Sequence, residues 1–169
     1  MSTKKVRGLK RKTKEMILRL EESTMVFPTD FYNGYCHFRL PVAQGFIDSC
    51  KTPIGIKRLC IQTLIDRAHH LMNIKPHNEE EYRVVVSVDL SGLWYSQIII
   101  FKGESYFNGF FDRNNHYQKW IPLSKERDIE KEWRLSVSND MDKKGYKEEI
   151  KDEDGSEYNG EIWFIGELV

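Results

Sequence analysis

Long apolar runs are missing from this chain. No stretch approaches the roughly 18 apolar residues that a membrane-spanning helix needs, so no membrane contact is expected. The basic N-terminus has no apolar h-region behind it, and so does not read as a secretory signal. Cysteine is sparse: Cys36, Cys50 and Cys60 are odd in number and widely spaced. They form no C-x-x-C and no clustered set with histidine, so neither a disulfide framework nor a zinc site is indicated. Sparse thiols suit a reducing compartment, and the cytoplasm is the expected location.

Glycine-rich phosphate loops are also absent. Gly45, Gly55 and Gly92 are isolated, Gly103 and Gly109 fall at turns or strand ends, and no Gly-Lys-Ser/Thr occurs. Nucleotide hydrolysis and dinucleotide binding are therefore not expected, and no cofactor or metal is assigned. The Gly-x-Ser-x-Gly elbow is missing too. A triad forced from His37, Asp89 and Ser87, Ser91 or Ser96 would rest on inventory alone, because triads are recognised by geometry.

Net charge is missing as well: 26 basic side chains balance 26 acidic ones. The balance hides an asymmetry. Lys4, Lys5, Arg7, Lys10, Arg11, Lys12 and Lys14 crowd the start with no acid among them. Asp140, Asp142, Glu148, Glu149, Asp152, Glu153, Asp154, Glu157, Glu161 and Glu167 load the end. Such asymmetry marks an interaction surface, or simply a solvated face beside a loose basic end.

What is present is a run of β-rich segments. Tyr82–Asp89 alternates, with Tyr82, Val84, Val86 and Val88 on one face and Arg83, Val85, Ser87 and Asp89 on the other. Residues 93–101 are apolar nearly throughout, as in a central strand covered on both faces. A third strand is expected over 106–111, which makes the three an antiparallel meander. Residues 112–118 read as a polar loop that ends at Trp120-Ile121-Pro122-Leu123.

Helical spacing places Leu9, Met16, Ile17 and Leu20 on one side of a helix over 8–22. Tyr35–Leu40 alternates as a strand after the Asn33-Gly34 turn. Residues 42–50 suit a short helical turn. Thr52-Pro53 is a helix start, and Ile61, Leu64, Ile65, Ala68, Leu71 and Met72 form the apolar stripe of a helix running to about 73. Ser124 caps a further helix whose first turn holds Glu126 and Asp128. Residues 137–144 read as a loop. A closing hairpin turns at Asp154-Gly155, with Gly166 as a bulge.

The order is α–β–α–βββ–α–ββ. It implies an α+β fold: a single mixed, mainly antiparallel sheet, meander plus C-terminal hairpin, packed by about three helices. Residues 1–7 form a flexible basic N-terminus and 8–169 a single domain.

The segments Leu93-Trp94-Tyr95-Ser96-Gln97-Ile98, Phe110-Phe111-Asp112-Arg113, Trp120-Ile121-Pro122-Leu123 and Trp163-Phe164-Ile165-Gly166-Glu167-Leu168 carry a resemblance. Over nearly its whole length the chain resembles an uncharacterised bacterial family found chiefly in Gram-positive species, domain of unknown function 3916. The resemblance implies a bacterial cytosolic protein and brings no activity, because the family has none established.

Three functional readings follow. The first is a non-enzymatic protein-binding module, in one form an immunity protein that neutralises a toxin. Its contact residues are Glu148, Glu149, Asp152, Glu153, Asp154 and Glu157, with Tyr158 or Trp163 as anchor, because carboxylates mimic phosphates over a basic active site and aromatics dominate hot spots. The second is an enzyme whose site gathers Arg39, Asp66, His69, His70, Asp89 and Arg113. His69 and His70 adjoin Asp66 on the polar side of the long helix, but adjacent histidines do not aim at one point. The third is a regulator that touches nucleic acid through residues 4–14. Oligomeric state is left open.

Overall fold

A computed structural model describes residues 8–40, 52–90, 96–104, 107 and 118–168. The elements in chain order are α1 (Leu9–Ser23), β1 (Tyr35–Arg39), α2 (Ile54–Ile74), β2 (Tyr82–Asp89), β3 (Gln97–Lys102), β4 (Gln118–Pro122), α3 (Ile129–Trp133), β5 (Asp142–Lys151) and β6 (Glu157–Gly166). The strands form one six-stranded sheet, ordered β1-β3-β2-β6-β5-β4, and every pairing is antiparallel. This is an α+β fold.

The alternation of β2 assigns its two faces. Val84, Val86 and Val88 join Ile98, Ile100, Trp163 and Ile165 in a core closed by Cys60, Ile61, Leu64, Ile65, Ala68 and Leu71 of α2. Each large aliphatic side chain removed from water there is worth about 1.5–3 kcal/mol. On the opposite face Val85, Ile99, Phe101, Phe107, Trp120, Ile162, Phe164 and Leu168 form a second cluster. All eight residues of β2 are therefore buried, as a strand covered on both sides must be.

α1 packs on α2 through Leu20 and through an arginine clamp. Arg67 Nε donates to Thr24 Oγ1 at 2.7 Å, and its Nη2 donates to the Thr24 carbonyl at 3.0 Å. The chain then enters β1 through Asn33 and Gly34, both at positive φ (51° and 80°), the conformation that tight hairpin turns demand. The end of the chain is held by Lys75, whose Nζ donates to both Glu167 carboxylate oxygens at 2.6 and 2.7 Å.

Several expectations shift. The third of the successive strands is β4, in residues that read as the end of a loop, and it pairs with β5 rather than with β3. The meander is thus β4–β5–β6, while β2 and β3 form a hairpin-like pair. The expected strand over 106–111 lies, except for Phe107, outside the described residues, as do the turn at 42–50, the start of the strand at 93–95 and residues 1–7. The N-cap position of α2 is Pro53 rather than Thr52, and no side chain caps it by a hydrogen bond. α3 starts late: Asp128 caps it by accepting from the Glu130 and Lys131 amides. Ser124 closes only a turn, its Oγ accepting from Glu126 N–H at 3.2 Å. The expected loop 137–144 gives way to strand at Asp142.

Candidate functional site

The closing hairpin supplies the first candidate surface. Gly155 at φ 85° lets the chain reverse, and Asp152 N–H donates to the Ser156 carbonyl at 2.8 Å. Asp154 Oδ1 accepts from the Ser156 amide at 2.9 Å and from its hydroxyl at 2.6 Å. Those donors hold the Asp154 carboxyl below its usual range, so Asp154 shapes the turn. The inner half of β6, Ile162 to Ile165, is buried, whereas Glu157, Tyr158 and Asn159 are exposed. The far end of the hairpin therefore projects beyond both cores.

Its charges are not equivalent. Lys151 Nζ lies 3.3 Å from Glu157, and Lys147 Nζ lies 2.9 Å from Glu149. Lys147 holds the Glu149 carboxyl below its ordinary value. Asp152 and Glu153 are exposed and have no cationic partner among the described residues. Tyr158 is 43% exposed and stands beside them on β6.

Two of the expected contact residues are elsewhere. Glu148 is 1% exposed. It lies between Trp120 of β4 and Gly160 of β6, on the face that also carries Tyr146. Strand alternation turns it inward, while Lys147 and Glu149 point the other way. Trp163 is 5% exposed: its indole covers Gly145, and its Nε1–H donates to Glu161 at 2.7 Å. Neither residue belongs to an exposed contact surface. Asp152, Glu153, Asp154, Glu157 and Tyr158 stay together on the projecting arm, whereas Glu149 stands further in, half-buried opposite Lys119 of β4.

The described members of the alternative enzyme set do not come together. Asp66, His69 and His70 lie on α2, against one face of the sheet. Arg39 and Asp89 lie on the other face, since they alternate with Phe38 and Val88 of the α2-side core. The α2 side chains have local partners instead: Asp66 accepts from Gln62 at 2.8 Å, and the ring Nε2 atoms of His69 and His70 lie 3.3 Å from Asp140 and from the Met25 carbonyl. Arg39 Nε donates to Gln97 at 2.9 Å. Arg113 lies outside the described residues. Among the described residues no three His, Cys, Asp or Glu side chains are placed to hold a metal ion.

In the basic arm of residues 4–14, Lys10, Arg11, Lys12 and Lys14 are exposed on α1, with Arg11 paired to Glu15 at 2.9 Å. No helix among the described residues is long and apolar enough to cross a membrane.

A further feature escaped sequence reasoning. A cleft of about 530 Å³ opens between the loop after β4 and the start of β5. It is lined by Lys125, Arg127, Lys143 and Lys144 beside Leu123 and Trp163, and no lining residue is acidic. Arg127 is fixed by Glu132 at 2.8 Å and Glu161 at 2.7 Å, and Lys143 by Glu130 at 2.6 Å. Lys143, followed by the Val137 N–H, holds the Glu130 carboxyl low. Lys125 and Lys144 have no partner among the described residues. These cations come from separate segments, so no local motif announces them.

No curated protein and no solved structure matches this chain. One family model, described as a protein of unknown function (DUF3916), matches residues 17–167. That span covers most of the sequence, and the chain belongs to this family.

Proposed function

We infer that this chain is a non-enzymatic protein-binding module that meets its partner through the far arm of the β5–β6 hairpin. The observation that supports this most is the pairing of two unneutralised carboxylates, Asp152 and Glu153, with the exposed ring of Tyr158 on an arm projecting past both cores. An aromatic anchor beside like charges is the composition of a contact surface for a basic partner. The turn geometry presents the carboxylates without local rearrangement, which limits the ordering cost of association. Such an arm suits neutralising a toxin by covering its cationic active site.

The test is retention of partners from the native cell extract on immobilised protein. Asp152→Lys/Glu153→Lys should lose a protein that the unaltered chain retains and that salt elutes. Identical retention by both forms would overturn the reading.

A further inference from the structure

We propose that the cleft between the loop after β4 and the start of β5 binds a small organic phosphate monoester. This goes beyond the protein-binding reading and involves none of the hairpin-arm residues.

The charge pattern carries the argument. In a chain with equal numbers of acids and bases, four cations line this cleft and no acid does. Two of the four are already committed. Arg127 is braced by Glu132 and Glu161, and Lys143 by Glu130, so their positions are set before any ligand arrives. Arg127 uses Nε and Nη2 in those contacts, which leaves Nη1 to donate. Lys125 and Lys144 have no hydrogen-bond or ion-pair partner among the described residues. Two unpaired ammonium groups match the roughly two negative charges of a phosphate monoester better than the single charge of a carboxylate or phosphodiester.

Hydroxyl chemistry agrees. Ser124 Oγ accepts from the Glu126 amide, so its O–H remains a donor at the rim of the cleft. Size decides the remainder of the ligand. About 530 Å³ lies within the range of small-molecule sites, roughly 300–1,000 Å³, and is far more than one phosphate fills. Pro122, Leu123 and Trp163 supply an apolar wall for the organic part. Gly145 brings the strand backbone to the same wall, its carbonyl accepting from Leu123 N–H at 2.9 Å.

The experiment is calorimetric titration of the full chain with phenyl phosphate, with phenol as the neutral control and a single-stranded DNA 12-mer as the diester control. Saturable binding of phenyl phosphate is expected, with none of phenol. Affinity should rise between pH 5 and 7.5 as the monoester takes its second charge, whose pKa is about 6. Lys125→Ala/Lys144→Ala should weaken binding by roughly tenfold or more, as expected for lost charge-assisted hydrogen bonds. An unchanged urea midpoint confirms that this double variant is folded; if it is not, the single variants Lys125→Gln and Lys144→Gln serve instead. Absence of saturable phenyl phosphate binding, or equal affinity in the lysine variants, overturns the proposal. Tighter binding of the 12-mer, lost in the same variants, would assign the cleft to a nucleic-acid backbone and also overturn it.

Discussion

The indole of Trp163 lies flat on Gly145 of the neighbouring strand, so closely that a Cβ at Gly145 would sit 2.7 Å from the ring. Register places the two residues opposite one another across β5 and β6. Gly145→Ala should therefore destabilise the fold by about 1–3 kcal/mol, the usual cost of overpacking. At Gly166 the obstacle is backbone: φ is 151° and an added Cβ would collide with the Val84 carbonyl oxygen. A strand backbone yields less readily than a ring, so Gly166→Ala should cost more than Gly145→Ala. Urea midpoints of the two variants check the order.

Glu148 and Glu153 are both acids of the closing hairpin, with opposite surroundings. Glu148 is buried opposite Trp120, and Glu153 is exposed at the turn. Glu148→Lys should destabilise by about 3 kcal/mol or more, because an ammonium would be placed where water is excluded. Glu153→Lys should stay within about 0.5 kcal/mol of the unaltered protein. Chemical denaturation of both distinguishes a structural acid from a contact acid.

Burial pushes the Cys60 thiol up to about 11 from 9.0. Below pH 9 the thiol is protonated whether the chain is folded or unfolded. Between about pH 9 and 11 the unfolded thiol ionises while the folded one keeps its proton, so the stability it contributes is lost as pH rises through that window. The loss should approach about 2–3 kcal/mol. Denaturation from pH 8 to 11 should show a shallower decline in Cys60→Ala than in the unaltered protein, whatever cavity the substitution leaves. Equal slopes would contradict this.

Legibility in the sequence followed local regularity. The alternation of Val84, Val86 and Val88 against Val85 and Ser87 assigned both faces of β2, and the 3.6-residue stripe of Ile61, Leu64, Ile65 and Ala68 assigned the buried side of α2. The Asp154-Gly155 pair located the closing turn. β4 was not legible, because Gln118, Lys119 and Pro122 carry weak strand signals and its order comes from pairing with β5 at the sheet edge. Glu148 was misplaced because an acidic run was read by charge. Its period-2 neighbours Tyr146 and Ile150 carried the signal that it turns inward. The cationic cleft depends on tertiary contacts between segments far apart in sequence, which no local pattern encodes.

The most direct measurement replaces Tyr158 with a photo-cross-linking phenylalanine analogue in the native cell, with Asn73, exposed on α2, as the control position. A discrete covalent adduct is expected from position 158, absent from position 73 and lost when Asp152→Lys/Glu153→Lys is combined with it. No adduct at 158, or one that survives the charge reversal unchanged, would contradict the claim that the hairpin arm is the contact surface.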